Sequence, residues 1–166
     1  ATLSAQKTLR TLASPNKQTA VTVGLNKTGE PFYKITYRGK TAVDWSRLGF
    51  NTKEYNLHSG FKLAATKITT HDETWKPVWG EVAQIRDHYN ELAYTLSDET
   101  GCTMIIRFRA YEEGAGFRYE FPLQDCKTKV TVTDELTEFQ MTGDHNAWWI
   151  PGDYDSNEHV YTTGKI

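Results

Sequence analysis

The chain is short of cysteine, of proline and of long apolar runs, and each shortage removes a class of protein. Its 166 residues include two cysteines and five prolines. Two cysteines cannot staple a disulfide-dense scaffold, and no Cys/His spacing supports zinc, since Cys102 and Cys126 lie far apart, as do His145 and His159. No apolar stretch approaches the roughly 18 residues of a membrane-spanning helix, and no signal-peptide-like segment opens the chain. Its first residue, Ala1, is small and compatible with a leader already removed. An excess of one charge is also lacking: 19 basic and 21 acidic residues, well mixed, leave a net charge of −2. Without a basic stripe or polybasic tail, nucleic acid is not an expected partner. Helical periodicity is missing as well.

Aromatics and period-2 alternation are what the chain does have. Aromatic residues make up 13%, with nine Tyr and five Trp, a bias that suits β-sheets and sugar-facing surfaces. Alternation predicts strands at Thr8–Ala13, Ala20–Leu25, Phe32–Tyr37, Phe61–Thr69, Glu81–Arg86, Asn90–Leu96, Thr103–Ala110, Phe117–Leu123, Val130–Thr133 and Thr137–Met141. Turn residues separate them, as in Ser14-Pro-Asn, Arg38-Gly-Lys and Glu112-Glu-Gly-Ala-Gly116. Short strands at near-regular spacing imply an all-β domain, an antiparallel sandwich or barrel. The length fits one domain with a core of its own. In the expected hairpin Met104, Ile106 and Phe108 mark one core face, and Phe117, Tyr119, Phe121 and Leu123 the other. Cys102 shares the inward parity and Cys126 the outward one, so a disulfide needs a bulge or register change, which Pro122 could supply. Both a disulfide and two thiols stay open.

The chemistry-bearing residues concentrate in the last quarter. Between Thr142 and Tyr161 fall four acids, two histidines, two tyrosines and the adjacent pair Trp148 and Trp149. Flat aromatics face the apolar side of a sugar ring, and carboxylates accept from hydroxyls or ligate a hard cation. Packing in a core or interface is the competing role for the tryptophans. Asp153-Tyr-Asp-Ser-Asn-Glu158 opens like a calcium loop but has Glu158 where the EF-hand needs glycine, and no helices flank it. A second set of acids, Asp72, Glu73, Glu81, Asp87 and Glu91, neighbours Trp75 and Trp79. Neither set alone defines a catalytic carboxylate pair. There is no nucleophile elbow and no phosphate-binding glycine loop. Asn26-Lys-Thr28 matches a glycosylation sequon.

Five segments together carry a family resemblance. They are Asp44-Trp-Ser-Arg-Leu-Gly49, Asp72-Glu-Thr-Trp-Lys-Pro-Val-Trp-Gly-Glu81, Ile85-Arg-Asp-His-Tyr-Asn-Glu-Leu92, Gly116-Phe-Arg-Tyr-Glu-Phe121, and Thr137-Glu-Phe139 through Trp148-Trp-Ile-Pro-Gly-Asp-Tyr-Asp155. In this order, from Ser14 to Thr163, the chain resembles the N-terminal domain of glycoside hydrolase family 97. The resemblance implies a super-sandwich of the galactose-mutarotase type. It also implies an enzyme of the bacterial periplasm, or a secreted one, acting on α-glucosides or α-galactosides. Its (β/α)8 barrel, which this chain lacks, would hold the catalytic acid and base, and a small C-terminal β domain would follow. The N-terminal domain would pack on the barrel, complete the pocket for an oligosaccharide and supply one glutamate to a calcium ion. The matching position is Glu158, with Trp148, Trp149, Asp153 and Asp155 framing the loop.

Three expectations follow. The chain alone is inactive and holds calcium poorly, because one carboxylate is far short of the six to eight oxygens calcium takes. It represents part of a longer domain, whose missing portion it needs to behave well. Arg86, His88 and Asn90 pin strands rather than act on substrate. A free-standing carbohydrate-binding module is the rival reading, and a purely structural interface domain the third.

Overall fold

The computed structural model describes residues 9–122, 129–156 and 158–166, and no helix occurs among them. None is therefore long and apolar enough to cross a membrane as a helix. Fourteen strands run in chain order: β1 (Arg10–Ala13), β2 (Thr19–Leu25), β3 (Pro31–Tyr37), β4 (Lys40–Arg47), β5 (Phe50–Thr52), β6 (Asn56–Leu57), β7 (Lys62–Trp75), β8 (Ile85–Ser97), β9 (Thr103–Tyr111), β10 (Ala115–Glu120), β11 (Val132–Glu135), β12 (Gln140–Met141), β13 (Asn146–Trp149) and β14 (Thr162–Lys165). Two antiparallel sheets dominate, one ordered β1-β2-β3-β4-β12 and the other β10-β9-β8-β7. Smaller sheets are β11-β5-β6 and the ribbon β13-β14. The architecture is an open antiparallel sandwich, not a closed barrel.

The core forms where inward rows of the two large sheets meet. Val21 and Val23 of β2 and Tyr33 of β3 oppose Leu92, Tyr94 and Leu96 of β8 and Met104, Ile106 and Phe108 of β9. β9 alternates strictly, burying every second residue from Met104 to Ala110 while Arg107 and Arg109 face out. This is the pattern of a strand with one wet face. The two-residue turn Arg38-Gly39 joins β3 to β4 with both residues left-handed, φ 49° and 75°. That is the hairpin turn whose twist matches the flanking strands.

Several expected boundaries move, for identifiable reasons. The expected strand Glu81–Arg86 does not exist as such: residues 76–84 form a loop, and β8 runs unbroken from Ile85 through Arg86-Asp87-His88. Those polar residues look like a break, but at that end the hairpin is only two strands wide and both faces are wet. β7 extends past Thr69 to Trp75 for the same reason. β4 was not expected, because register shifts against β3 break its alternation. The expected strand Thr137–Met141 shortens to Gln140–Met141, its first residues being held by one backbone bond, from the Glu138 amide to the Arg47 carbonyl, and by side chains. Gly116 lies within β10 opposite Arg109, so the turn is only residues 112–114, and Phe121 is 42% exposed rather than core. Thr8, Leu123 and Cys126 lie outside the described residues. Cys102 is buried and disulfide-bonded.

Candidate functional site

The residues singled out near the C-terminus assemble into one structure. β13 and β14 pair from Asn146↔Lys165 to Trp149↔Thr162, and the loop between them carries Asp153, Asp155 and Glu158. Because side chains alternate along a strand, Trp148 and Trp149 point to opposite faces of this ribbon. They cannot form one continuous platform. Trp149 lies on the face of Ala147 and Gly164, and its indole rests on Gly164, where an added Cβ would sit 2.8 Å from the ring. Only glycine admits the ring at that depth. Trp148 is freer, at 64% exposure against 45% for Trp149. Trp148 is therefore the better placed of the two to meet a ligand, and Trp149 is partly committed to packing.

The acids of the loop also separate. Asp153 Oδ1 accepts from the Asp155 amide at 3.0 Å, and Oδ2 lies 2.9 Å from His159 Nε2. The Asp155 amide, then the His159 ring, hold the Asp153 carboxyl below the usual range. Asp153 thus braces the loop. The Asp153–His159 contact was not read from sequence, since a six-residue spacing of these types has no signature. Glu158 is exposed, its amide donates to Ser156 Oγ at 3.0 Å, and its carboxylate has no hydrogen bond or ion pair with the described residues. Among the described residues no group of three or more His, Cys, Asp or Glu is placed to hold a metal. Glu158 fits the part of a single donor to a site completed from elsewhere, and not that of a complete calcium cage.

Of the earlier acids, Asp72, Glu73, Asp87 and Glu91 have side-chain partners, and Glu81 is exposed in the loop with none among the described residues. Arg86 clasps Asp72 with two contacts of 2.7 Å, and this guanidinium holds the Asp72 carboxyl below its ordinary range. Glu91 is nearly buried and bonded to Arg107 at 2.7 Å and Arg109 at 2.8 Å. Burial pushes its pKa up, but the two guanidiniums outweigh it and the net direction is down. Asn90 donates to the Ala13 carbonyl at 2.8 Å and accepts from Thr70 at 2.7 Å, joining β8 to β1 and β7. Arg86 and Asn90 thus pin strands, and His88 lies 3.9 Å from both Asp72 and Glu112. The sequon residue Asn26 closes its own turn, its Oδ1 accepting from Thr28 and Glu30 and its Nδ2 donating to the Glu30 carboxylate.

Two further motif segments meet each other. The Arg47 and Gly49 carbonyls accept from the amides of Glu138 and Leu136, and the Arg47 guanidinium pairs with the Glu138 carboxylate. Ser46 Oγ accepts from the Gln140 amide at 2.9 Å, and Tyr33 Oη donates to the Glu138 carbonyl at 2.8 Å. Tyr119 Oη accepts from the Gly49 amide at 3.0 Å. The segment leading into the candidate site is therefore locked to the sandwich by Ser46 through Gly49.

The sequence model of the family described as "Glycosyl-hydrolase 97 N-terminal" matches residues 12–166. Among solved structures, a glycoside hydrolase family 97 enzyme from Pseudoalteromonas sp. strain K8 matches in its complex with acarbose and, as a glutamate-to-glutamine variant, with panose. Each is 32% identical with a TM-score of 0.83, over 93% of this chain and 24% of that one. A β-arabinopyranosidase matches at 27% identity and a TM-score of 0.74, over 84% of this chain and 22% of that one. The chain spans about a quarter of the length of these enzymes.

Proposed function

The chain belongs to the N-terminal domain family of the family 97 glycoside hydrolases, and from that premise we propose that it is a non-catalytic domain completing the sugar pocket of such an enzyme. In this reading it packs on a (β/α)8 barrel followed by a C-terminal domain, in an enzyme of the periplasm or secreted medium that acts on α-glucosides or α-galactosides. Its own part is to carry the β13–β14 loop to the pocket and to present Glu158 as one calcium ligand. Calcium bound there supplies a Lewis acid that polarises a sugar hydroxyl or orders water. The residues of this chain do the positioning. Asp153, braced by Asp155 and His159, sets the loop; Trp149 on Gly164 fixes the ribbon; Trp148 offers an indole face to a sugar ring.

The observation that carries the proposal is the contrast between Asp153, whose carboxylate is consumed inside the loop, and Glu158, whose carboxylate has no partner among the described residues. Calorimetry of the full-length enzyme and its Glu158→Gln variant tests it. The expected outcome is calcium binding weakened at least about tenfold in the variant, with activity falling alongside. Equal binding would reduce the domain's role to packing. The exposure of Trp148 favours one rival, a carbohydrate-binding module that works alone. Sugar affinity in the isolated chain, lost on Trp148→Ala, would establish that instead.

A further inference from the structure

The β7–β8 hairpin reaches beyond the sheet it belongs to. β7 and β8 pair from Lys62↔Ser97 to Trp75↔Ile85, whereas β9 covers β8 only as far as Tyr89↔Tyr111. The rungs from Asp72↔His88 to Trp75↔Ile85 therefore project as an arm two strands wide. Such an arm is marginal in water by itself. Side chains brace this one on both faces. On one, Arg86 clasps Asp72 while His88 sits between Asp72 and Glu112. On the other, His71 stacks on Tyr89 at 4.9 Å and lies 3.6 Å from both Glu73 and Asp87.

The shaft is thus polar and cross-braced, with His88 Nδ1 alone buried without a hydrogen bond, whereas its tip is apolar and unbraced. In and beside the loop 76–84, Val78 is 99% exposed, Trp79 88%, Val82 54% and Trp75 47%. Neither indole makes a ring contact or hydrogen bond with the described residues. Four large apolar side chains on the end of a braced arm form a patch of the kind that marks an interaction site. Valines on both sides of the indole favour an apolar recess over a sugar, whose hydroxyls they could not pair. The comparisons point to an occupant, since the enzymes this chain resembles are about four times its length.

We infer that the tip of this arm is an anchor, seating Trp79 and Val78 in an apolar recess of the remaining part of the same enzyme. This rests on the reading of the chain as one domain of a larger glycosidase. It adds a contact remote in sequence from the β13–β14 loop, one that fixes the domain's orientation. The braced shaft makes the anchor rigid, so that little order is lost when it docks.

Hydrogen exchange on the full-length enzyme tests the anchor. Amides of residues 76–84 should exchange at least about 100-fold more slowly than those of the exposed turn 112–114 in the same molecule. A Val78→Ser/Trp79→Ser variant should lose that protection and show a separate, earlier unfolding transition for the N-terminal domain. Equal exchange of the two segments in the wild type would overturn the anchor. So would protection that appears only with panose, which would make the tip a sugar site, or only with rising protein concentration, which would make it a contact between copies. The Glu158→Gln calorimetry stands apart from this. A calcium effect with an unprotected tip would sink the anchor alone.

Discussion

Arg107→Met is the most direct probe of how the outer face of the β8–β9–β10 sheet is held together. Arg107 donates Nε and Nη2 to Glu120 and Nη1 to Glu91, each at 2.7 Å. Methionine keeps much of the apolar stem and removes only the guanidinium. A solvent-exposed ion pair contributes about 0–1 kcal/mol, whereas removing one partner of a fully buried pair costs about 3–5 kcal/mol. The side chains involved are 24% exposed for Arg107, 25% for Glu120 and 11% for Glu91, and Arg109 and Arg118 still neutralise the stranded carboxylates. An intermediate loss of about 2 kcal/mol at neutral pH follows. For a domain of this size that corresponds to a fall in Tm of roughly 4–8 °C. Acid gives the effect a signature. The Arg107 guanidinium, with help from Arg118, holds the Glu120 pKa at about 2 against an ordinary 4.5. Stabilisation from a depressed carboxylate is present above the unfolded value and disappears as pH falls towards the folded one. The gap between wild type and variant should hold above about pH 5 and narrow between about 4.5 and 2. Urea unfolding at pH 7, 5 and 3 measures it. A gap below about 0.5 kcal/mol at pH 7, or one unchanged at pH 3, would refute the argument. Arg118→Met is the internal comparison: Arg118 is 62% exposed and should cost under about 1 kcal/mol.

Two further changes probe the seam between Ser46–Gly49 and the segment leading to the candidate site. Gly49→Ala places a Cβ 2.7 Å from the Leu57 carbonyl oxygen at φ 125°, so it should destabilise by more than about 2 kcal/mol in urea unfolding. Tyr33→Phe removes the donor to the Glu138 carbonyl and should cost about 1–2 kcal/mol. Burial pushes the Tyr33 pKa up to about 12 from 10.0. Its contribution is therefore present below pH 10 and lost as pH rises through about 12, and alkaline absorbance titration of the variant should show one late phenol fewer than the wild type, in which burial also raises Tyr89 and Tyr119.

The sheet arrangement was legible wherever one face of a strand is dry. Met104, Ile106, Phe108 and Ala110 alternate with polar neighbours because the other sheet covers one side of β9 and water the other. Legibility failed where that asymmetry fails. Along β7 nearly every residue is exposed, so its sequence carries no contrast between faces and its length could not be read. β4 failed differently, since register shifts against β3 interrupt the phase on which the reading depends.

At the candidate site, sequence grouped the residues but did not show the arrangement that separates them. Composition grouped Trp148, Trp149, Asp153, Asp155 and Glu158, yet strand alternation separates the tryptophans and hydrogen bonding separates the acids. Neither distinction depends on residue type. A carboxylate becomes a brace or stays open to solvent according to which amides and rings the loop turns towards it, as Asp153 and Glu158 show among the described residues. A tryptophan becomes packing where glycine stands across the ribbon, as Gly164 does under Trp149. That glycine is the one trace of the division written in the sequence, because only a residue without Cβ leaves room for the ring. The same logic sets the arm apart from the loop. Asp72 and Arg86 spend their charges on each other, while Val78 and Trp79 at that end stand exposed, without a hydrogen bond or ring contact among the described residues.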